Sequence, residues 1–415
     1  MDLTFSRCAG IDVHKRMLMV CIRIVIGGKL HTEVREFGTM TKDLLALVDW
    51  LLESGVTHVA MESTGSYWKP VYNILEGSLE IFVVNAHHVK QVPGRKTDVK
   101  DSQWLAQLMA YGLLKPSFVP TTEQRALRDL TRSRTSFVTE RSRLCNRIQK
   151  LLEESNVKLA SVATDVLGVS GRNMLRELAG GNQDVDAIAE LAKGRLRNKI
   201  QELKPALEGR MKSHQRFLLG ELLAQVEALD ATIRRIEGRI GLEVESSEGA
   251  PFESAIRVLT SIDGVDENGA KAVLGEIGVD MHRFGSANRI GAWSGLAPGN
   301  SQSGGKRLSG KTLPGNKNLK RVMIQIARAA VKKKGTYLAA LYGRLSARRG
   351  KKKAIVAVAH SILRSMYYML LSGEPYKDLG ADHFDKRNQQ NVLKSLTKRL
   401  DHLGYQVVPK EAAVA

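Results

Sequence analysis

The sequence predicts an α/β domain followed by an all-α remainder, and three observations lead to this fold class. Over the first ~115 residues, short β-branched apolar runs alternate with segments of helical apolar spacing. From Thr121 onward, two long charged stretches contain few glycines or prolines, which is typical of long helices. A third, helical region from Pro251 to Leu371 is interrupted by one Gly/Ser/Lys segment. The predicted domains are residues 1–118, 119–245 and 246–375, followed by a polar tail over residues 376–415.

The first domain contains five predicted strands and three predicted helices. The strands are CAGIDVHK, RMLMVCIRIVIGG, KLHTEVREF, VTHVAMES and LEIFVVN, and the helices are TKDLLALVDWLLES, SYWKPVYNILEG and DVKDSQWLAQLMAYGLL. Gly27 and Gly28 indicate a turn between the second and third strands. Three strands in a meander, followed by helix, strand, helix, strand and helix, is the element order of an RNase H-like domain.

The second domain is predicted to be a helical arm. Its long stretches, TEQRALRDLTRSRTSFVTERSRLCNRIQKLLEES and ELKPALEGRMKSHQRFLLGELLAQVEALDATIRRIEGRIGLE, have the charge and apolar spacing of a coiled coil. An ordinary helix bundle is the alternative. The segment between them predicts a small helical insertion at the tip of the arm.

The third domain opens with a segment, LTSIDGVDENGAKAVLGEIG, that has the form helix, glycine-containing hairpin, helix. Such a helix-hairpin-helix-like element presents backbone N–H groups and a helix N-terminus to phosphate. A plain helical turn at Gly264 is the alternative interpretation.

The chain is strongly basic, with 63 Lys and Arg residues against 43 Asp and Glu residues and a formal net charge of +20. This excess favours nucleic acid as the partner, because Lys and Arg neutralise backbone phosphates; a basic solubility surface or an anionic membrane surface is the alternative. Three widely spaced cysteines indicate a reducing compartment. No signal-peptide pattern and no apolar run near ~18 residues is evident, so we expect a cytoplasmic, nucleoid-associated protein without a membrane partner.

Four carboxylates carry the strongest chemical signal. Asp12 lies in the first strand, Glu62 ends the fourth, and Asp98 and Asp101 begin the last helix of the first domain. If the first and fourth strands are neighbours and this helix crosses them, the four acids converge on a site for Mg²⁺ (or Mn²⁺), which prefers carboxylate oxygen. Taken alone, Asp98 and Asp101 would be explained as a helix cap. Asp12 has no such explanation, because an acid inside an apolar strand is costly unless it is paired or liganded.

A glycine-rich basic segment, NSQSGGKRLSGKTLPGNKNLKR, is the second chemical signal. Its glycines allow close approach of the backbone to a ligand, and its composition predicts phosphate contact. The predicted nucleic-acid contacts are Lys306, Arg307, Lys311, Lys317, Lys320 and Arg321, together with Lys96 and Lys100 beside the acidic pair. By composition alone, Ser301, Ser303 and Ser309 are hydrogen-bond donors rather than nucleophiles. His360, on an apolar helix, is predicted to lie in the core or to support a residue of the site from behind.

Five motifs occur together and in order along residues 8 to 371: GIDVHK, MESTGSYW, GRKTDVKDSQWLAQL, GAWSGLAPGNSQSGGKRLSGKT and AIVAVAHSIL. This combination resembles the DEDD-type insertion-sequence transposases, the bridge-RNA-guided recombinases of the IS110 family. The resemblance implies a RuvC-like N-terminal domain, a coiled-coil region and a C-terminal transposase domain. It places an Mg²⁺-binding acidic tetrad on Asp12, Glu62, Asp98 and Asp101, and a serine nucleophile on Ser303, with Ser301 as the second choice.

The resemblance further implies donor and target DNA as substrates, a structured bridge RNA as guide, and a homo-oligomer, a dimer or a tetramer. The predicted function is therefore a DNA transposase that cleaves and rejoins strands with a serine nucleophile. A metal-dependent junction-resolving nuclease, in which water attacks and no serine is needed, is the first alternative. A non-catalytic nucleic-acid-binding protein, in which the four acids are caps and surface residues, is the second.

Overall fold

The protein is described by a computed structural model. The structure describes residues 3–63, 65–85, 101–246, 250–299, 301–312, 314–387 and 389–405. The chain divides into two compact units, Met1–Pro120 and Thr121–Ala415. The division after Pro120 lies two residues beyond the predicted first domain, whereas the predicted arm and C-terminal domain belong to one unit.

The first unit is built on a five-stranded mixed sheet. Its strands are β1 (Arg7–Val13), β2 (Met17–Ile26), β3 (Lys29–Gly38), β4 (His58–Glu62) and β5 (Glu80–Val84), and its helices are α1 (Thr41–Glu53), α2 (Trp68–Leu75) and α3 (Asp101–Ala110). The strand order is β3-β2-β1-β4-β5. The first three strands pair antiparallel, and β4 pairs parallel with both β1 and β5. The predicted adjacency of the first and fourth strands is thus present.

A two-residue turn joins β2 to β3. Gly27 and Gly28 occupy this turn with φ angles of +56° and +79°, a backbone conformation that two-residue hairpins require and that glycine adopts without strain. The turn signal in the sequence predicted the position of this hairpin.

The side chains of β1 alternate between the two faces of the sheet. Ala9, Ile11 and Val13 point into a core formed with α1 and α2. Cys8 points into a second core with Leu105 of α3. The next residues on the α3 face of β1 are therefore positions 10 and 12, because successive side chains of a strand point to opposite faces.

The second unit is helical. Its helices are α4 (Thr122–Glu154), α5 (Leu159–Val162), α6 (Val169–Gly180), α7 (Val185–Glu190), α8 (Ile200–Leu207), α9 (Ser213–Glu245), α10 (Ala250–Thr260), α11 (Glu267–Ile277), α12 (Ala287–Trp293), α13 (Lys317–Ala330), α14 (Tyr337–Arg349), α15 (Lys351–Ser372), α16 (His383–Arg387) and α17 (Gln389–His402), with a hairpin of β6 (Ser301–Ser303) and β7 (Lys306–Ser309) between α12 and α13. An α/β N-terminal part followed by a helical remainder is therefore confirmed.

The long helices α4 and α9 pack side by side and run in opposite directions. Arg134 pairs with Glu237, and Arg141 pairs with Asp230, so residue numbers rise along one helix as they fall along the other. Apolar residues of α5 to α8 and both long helices share one core. The short helices thus form the predicted insertion between the two long ones.

The prediction of a single long helix from residue 202 to residue 243 is wrong near its N-terminal end. The helix is interrupted there, and α8 and α9 are separate helices. Gly209 lies so close to Val157 and Ser155 that an added Cβ would approach Val157 Cγ2 to 2.3 Å. The N–H of Arg210 donates to the carbonyl of Ser155 at 2.9 Å. Contacts with a segment some fifty residues earlier in the chain therefore end α8, a cause that local sequence does not reveal.

Asp230 is the polar link between α4, α6 and α9. Its side chain is 15% exposed and accepts hydrogen bonds from Arg141 and Arg172 at 2.5 Å and 2.6 Å. We expect Asp230→Ala to lower the free energy of unfolding by about 2 kcal/mol, because two half-buried guanidinium groups lose their partner. Urea unfolding measures this. Glu227→Ala is the control, since its pair with Arg176 is about half exposed and we expect it to cost less than about 1 kcal/mol; equal losses would contradict the expectation.

Helices α10 and α11 form the predicted helix, turn and helix. Gly264 in the turn has a φ of +85°, and an added Cβ would lie 2.4 Å from the backbone nitrogen of Ala330. The glycine is therefore required because the turn packs against the end of α13. Helix α11 begins at a side-chain cap, since the N–H of Gly269 donates to Asp266 at 2.7 Å.

In the part of the chain that the structure describes, α15 alone is long and apolar enough to cross a membrane by length and composition. The helix contains His360 and Arg364, so it is not an uninterrupted apolar run of about 18 residues, and the sequence-based expectation is not contradicted. Val358, Ala359 and Leu363 of α15 are fully buried in the core formed with α10 to α14. Burial of this kind is typical of the central helix of a helical domain, which passes the same test.

Candidate carboxylate site and serine hairpin

Asp12 and Glu62 occupy matching positions on neighbouring parallel strands. In the register of β1 and β4, Gly10 pairs with Ala60 and Ile11 pairs with Met61. The next residues along the two strands are Asp12 and Glu62. Because paired residues of parallel strands point to the same face, both carboxylates project from the face that α3 covers, at the carboxyl ends of their strands.

Gly10 allows α3 to lie directly on β1. An added Cβ at this position would lie 2.2 Å from the carbonyl oxygen of Ser102 and 2.4 Å from the backbone nitrogen of Ala106. The first turn of α3, which begins at Asp101, is therefore held near the end of β1 that carries Asp12. The prediction that the last helix crosses the first strand agrees with this packing. Asp98, Lys96 and Lys100 lie outside the described residues.

The surroundings of the three described acids differ. The side chain of Asp12 is 24% exposed, and its Oδ2 lies 3.0 Å from Nε2 of His14. Glu62 is half-buried and Asp101 is exposed. Among residues with described positions, no group of three or more His, Cys, Asp or Glu side chains is close enough to hold a metal ion. The described residues thus bring Asp12 and Glu62 to one edge of the sheet.

Three features of this edge escaped the sequence interpretation. Gly10 precedes Asp12 by two residues, and a lone glycine inside an apolar strand is itself a signal of close backbone approach. His14 follows Asp12 by two residues, the spacing at which side chains of a strand point to the same face, and its ring contacts the Asp12 carboxylate. Ser102 is fully buried beside Gly10, and its hydroxyl has no hydrogen-bond partner among the described residues. Local sequence gives no sign of this last feature.

Ser303 lies at the tip of the β6–β7 hairpin. It pairs with Lys306 across a two-residue turn, in which Gly304 and Gly305 have φ angles of +55° and +75°. The two glycines are therefore explained by the turn, whereas the sequence interpretation assigned them to ligand approach. Ser303 is exposed. Ser301 lies at the other end of β6, paired with Ser309.

The predicted basic contacts cluster on the hairpin and on the start of α13. Lys306, Lys311, Lys317 and Arg321 are exposed. Lys320 is half-buried and donates to the hydroxyl of Thr312 at 2.9 Å. Arg307 belongs to β7. These positions place a group of cations in the same stretch of chain as Ser303.

The residue at the end of the hairpin segment, Asn316, binds a buried acid that the sequence interpretation did not single out. Glu276, near the end of α11, is 2% exposed. Its carboxylate accepts from Nε and NH2 of Arg132 at 2.7 Å and 2.8 Å, and from Nδ2 of Asn316 at 2.6 Å. These bonds join α4, α11 and the residue that precedes α13. The partners are 144 and 40 residues away in sequence, so no local pattern predicts the cluster.

Two family profiles match the chain. One matches the part that carries Asp12 and Glu62, and the other matches the part that carries the serine hairpin. A family described as Transposase, of the DEDD type of IS110, matches residues 9–157. Another, described as Transposase IS116/IS110/IS902 family, matches residues 256–343. Together the profiles cover more than half of the chain. The chain belongs to the IS110 family of transposases.

Curated relatives of this transposase agree with the assignment. A protein of Pseudomonas aeruginosa named "Probable family 20 transposase" is 27% identical over 278 residues, which is 66% of this chain and 71% of that protein. The transposase for insertion sequence element IS1111A of Coxiella burnetii is 27% identical over 331 residues, 77% of this chain and 79% of that protein. The family predicted from the five sequence motifs is therefore confirmed.

Burial alone would raise the pKa of Glu276 in the transposase, but the hydrogen bonds from Arg132 and Asn316 outweigh burial, so the pKa lies below its usual value of 4.5. A carboxylate of this kind stabilises the fold above its unfolded pKa, and that stabilisation is lost as the pH falls through the folded pKa. Arg128, which donates to the carbonyls of Gly275 and Glu276, adds a further charge at this position.

We therefore expect Glu276→Gln to lower the free energy of unfolding by about 2 kcal/mol at neutral pH, a loss moderated because Arg132 is 40% exposed. The difference between wild type and variant should shrink as the pH falls below the unfolded pKa of about 4.3 and through the lower folded pKa, since the wild-type carboxylate then takes up a proton. Thermal unfolding across that pH series measures it. A difference that stays constant down to the lowest pH would show that the charge of Glu276 contributes nothing.

His360 agrees with its predicted place in the core. The residue is half-buried on α15, and its Nε2 lies 2.5 Å from the point that a Cβ on Gly291 would occupy. Burial lowers the pKa of His360, and the charge of Arg364 lowers it further. The imidazole therefore packs in its neutral form against α12.

Proposed function

We propose that this transposase cleaves and rejoins DNA strands in a metal-dependent reaction, and that its first unit is an RNase H-like, RuvC-like domain. One observation carries the proposal: Asp12 and Glu62 lie side by side at the carboxyl ends of β1 and β4, on the face that α3 covers. The strand order β3-β2-β1-β4-β5 supports the fold assignment. Carboxylates at the ends of adjacent parallel strands are typical of a ligand site in an open sheet.

The donor set fits a hard divalent cation. Asp12, Glu62 and Asp101, with Asp98 as the fourth ligand that the sequence predicts, would supply carboxylate oxygens, which Mg²⁺ and Mn²⁺ prefer. A bound divalent ion would offset negative charge on the phosphodiester and lower the pKa of a coordinated hydroxyl or water. The carboxylates of this chain would hold that ion and fix its position. His14 would restrict the rotation of the Asp12 side chain through its contact at 3.0 Å.

We assign the nucleophile to Ser303. Its Oγ forms a bond to the phosphorus of a DNA strand and gives up its proton to solvent. The bond between phosphorus and the deoxyribose oxygen of the leaving strand breaks, and that oxygen takes up a proton to become a hydroxyl. Rejoining reverses these steps with a hydroxyl of another strand. The exposed position of Ser303 at a hairpin tip, paired with Lys306, supports this assignment, since the serine is open to a polyanion.

The proposed partners rest on the basic charge of the chain and on what its family implies. Donor and target DNA are the proposed substrates, contacted by Lys96, Lys100 and the cations of the hairpin region. A structured bridge RNA is the proposed guide, and the paired helices α4 and α9 are the proposed coiled-coil arm of a dimer or tetramer. Sequencing the RNA that co-purifies with the protein tests the guide directly, because a guide should match DNA that flanks the gene.

The nucleophile is tested with a covalent trap. The protein, with any nucleic acid it retains, is incubated with end-labelled DNA that spans the flanks of its own gene, and adducts that survive denaturation are counted. Ser303→Ala should abolish the adduct and strand joining. Ser309→Ala is the control, because its hydroxyl accepts from the N–H of Lys311 in the same hairpin at 3.1 Å. Normal joining by Ser303→Ala would overturn the assignment in favour of attack by water or, if Ser301→Ala abolishes the adduct, by Ser301.

A further inference from the structure

We infer that Glu276 is a positioning residue for Ser303, fixing the base of the serine hairpin through Asn316. The inference rests on the proposed function, because it assumes that Ser303 attacks DNA. Glu276 itself lies away from the hairpin tip in α11 and acts through the residues that it binds.

The hairpin segment is closed at its base by contacts with its own flanks. The N–H of Gly299 donates to the carbonyl of Lys311 at 3.2 Å, and the N–H of Asn316 donates to the carbonyl of Trp293 at 3.2 Å. Gly315 lies against the end of α12, where an added Cβ would approach the backbone nitrogen of Gly295 to 2.3 Å. The position of Asn316 therefore fixes where the hairpin leaves the helical core.

Every polar atom of the Asn316 side chain is used. Its carbonyl oxygen accepts from the N–H groups of Asn318 and Leu319 at 3.1 Å and 3.0 Å, which caps α13. Its amide nitrogen donates to Oε2 of Glu276 at 2.6 Å. Because the cap fixes the oxygen, the nitrogen must face an acceptor, and the buried carboxylate of Glu276 is that acceptor.

Glu276 is in turn held by the start of α4. Arg132 binds both carboxylate oxygens, and Arg128 donates to the carbonyls of Gly275 and Glu276 at 2.9 Å and 2.8 Å. Bidentate guanidinium–carboxylate pairing fixes orientation as well as charge. A continuous chain of short hydrogen bonds thus runs from α4 through Glu276 to the base of the serine hairpin.

Exchanging the two polar groups tests this link. In Glu276→Gln, an NH2 group replaces one of the two carboxylate oxygens. Whichever oxygen is replaced, this hydrogen-bond donor faces a donor of Asn316 or of Arg132. In Asn316→Asp, the cap of α13 is kept, but two carboxylates face one another. In the double variant Glu276→Gln with Asn316→Asp, the glutamine amide donates to the new aspartate, which restores the bond between positions 276 and 316 with its direction reversed. The glutamine oxygen still accepts from Nε of Arg132, whereas NH2 of Arg132 gives up its bond to position 276.

Adduct formation is measured at saturating DNA, with the Kd for DNA and the thermal unfolding temperature measured in parallel. Both single variants should form the adduct at least about tenfold more slowly with an unchanged Kd, since small misplacement of a reacting group costs rate rather than binding. The double variant should recover to within about threefold of wild type. Asn316→Asp decides the question if Glu276→Gln does not fold, because it retains the helix cap.

Two results overturn the inference: single variants that form the adduct at the wild-type rate, or a double variant as slow as the singles. A different result overturns the proposed function instead. If Ser303→Ala forms the adduct normally, the serine assignment fails whatever Glu276 does. The two failures are therefore distinguishable in one set of measurements.

Discussion

Replacing Asp12 with asparagine is expected to slow strand cleavage by about 1,000-fold or more, because the variant loses a carboxylate that is proposed to hold the divalent ion next to the phosphate that reacts. The substitution preserves the size of the side chain, and the new amide group still offers an oxygen to His14. The fold should therefore survive while the chemistry fails. Single-turnover cleavage of end-labelled DNA with and without Mg²⁺ measures the effect, and chelation of the metal should reduce the wild type to a comparable rate.

Glu80→Gln provides the matched control. Glu80 lies on the same sheet but begins β5, at the opposite edge from the carboxyl ends of the strands. Its carboxylate contacts Nε2 of His58 at 3.0 Å and is well exposed. Cleavage by this variant should stay within about twofold of wild type, because an exposed pair contributes little and lies away from the site. Equal losses in the two variants would mean that Asp12 has no special place in the reaction.

Replacing Gly10 with valine is expected to lower the free energy of unfolding of the first unit by about 4 kcal/mol, more than typical overpacking. The obstructing atoms are the carbonyl of Ser102 and the amide nitrogen of Ala106. Both belong to the backbone of α3, so neither can rotate out of the way as a side chain would. Relief requires α3 to move away from β1, which would also displace Asp101 from the strand that carries Asp12.

Urea unfolding of wild type and Gly10→Val measures the loss. Gly220→Ala is the control, because Gly220 lies inside α9 and an added Cβ would meet no described atom within 4 Å apart from the adjoining backbone of its own helix. That substitution should stabilise the protein by about 1 kcal/mol, since alanine has the higher helix propensity. If Gly10→Val left the unfolding midpoint unchanged, the close packing of α3 on β1 would be refuted.

The sequence predicted the elements of the first unit because their causes are local. Alternating apolar residues and the Gly27–Gly28 turn set β2 and β3, and Asp12 and Glu62 stood out as acids at the ends of apolar strands. Element order then predicted that the first and fourth strands are neighbours. These inferences need only the spacing of apolar residues, the preference of glycine for tight turns, and the energetic cost of an unpaired acid in an apolar strand.

The remaining features depend on contacts between distant segments. Gly10 is explained only by the backbone of α3, and the break before α9 only by packing of Gly209 against Ser155 and Val157. Glu276 looks like an ordinary helix acid in sequence, and its burial follows from Arg132 and Asn316 far away in the chain. Because such contacts form after the elements are in place, residue patterns within one segment do not contain them.

The carboxylate site is tested most directly by metal binding to the intact protein, since binding does not depend on knowing the DNA sequence that is cleaved. Mn²⁺ is titrated into wild type, Asp12→Asn and Glu80→Gln, and the free ion is followed by electron paramagnetic resonance. The wild type and Glu80→Gln should bind Mn²⁺ that Mg²⁺ displaces, and Asp12→Asn should lose that binding. Equal Mn²⁺ binding by Asp12→Asn and wild type would contradict a metal site at the ends of β1 and β4.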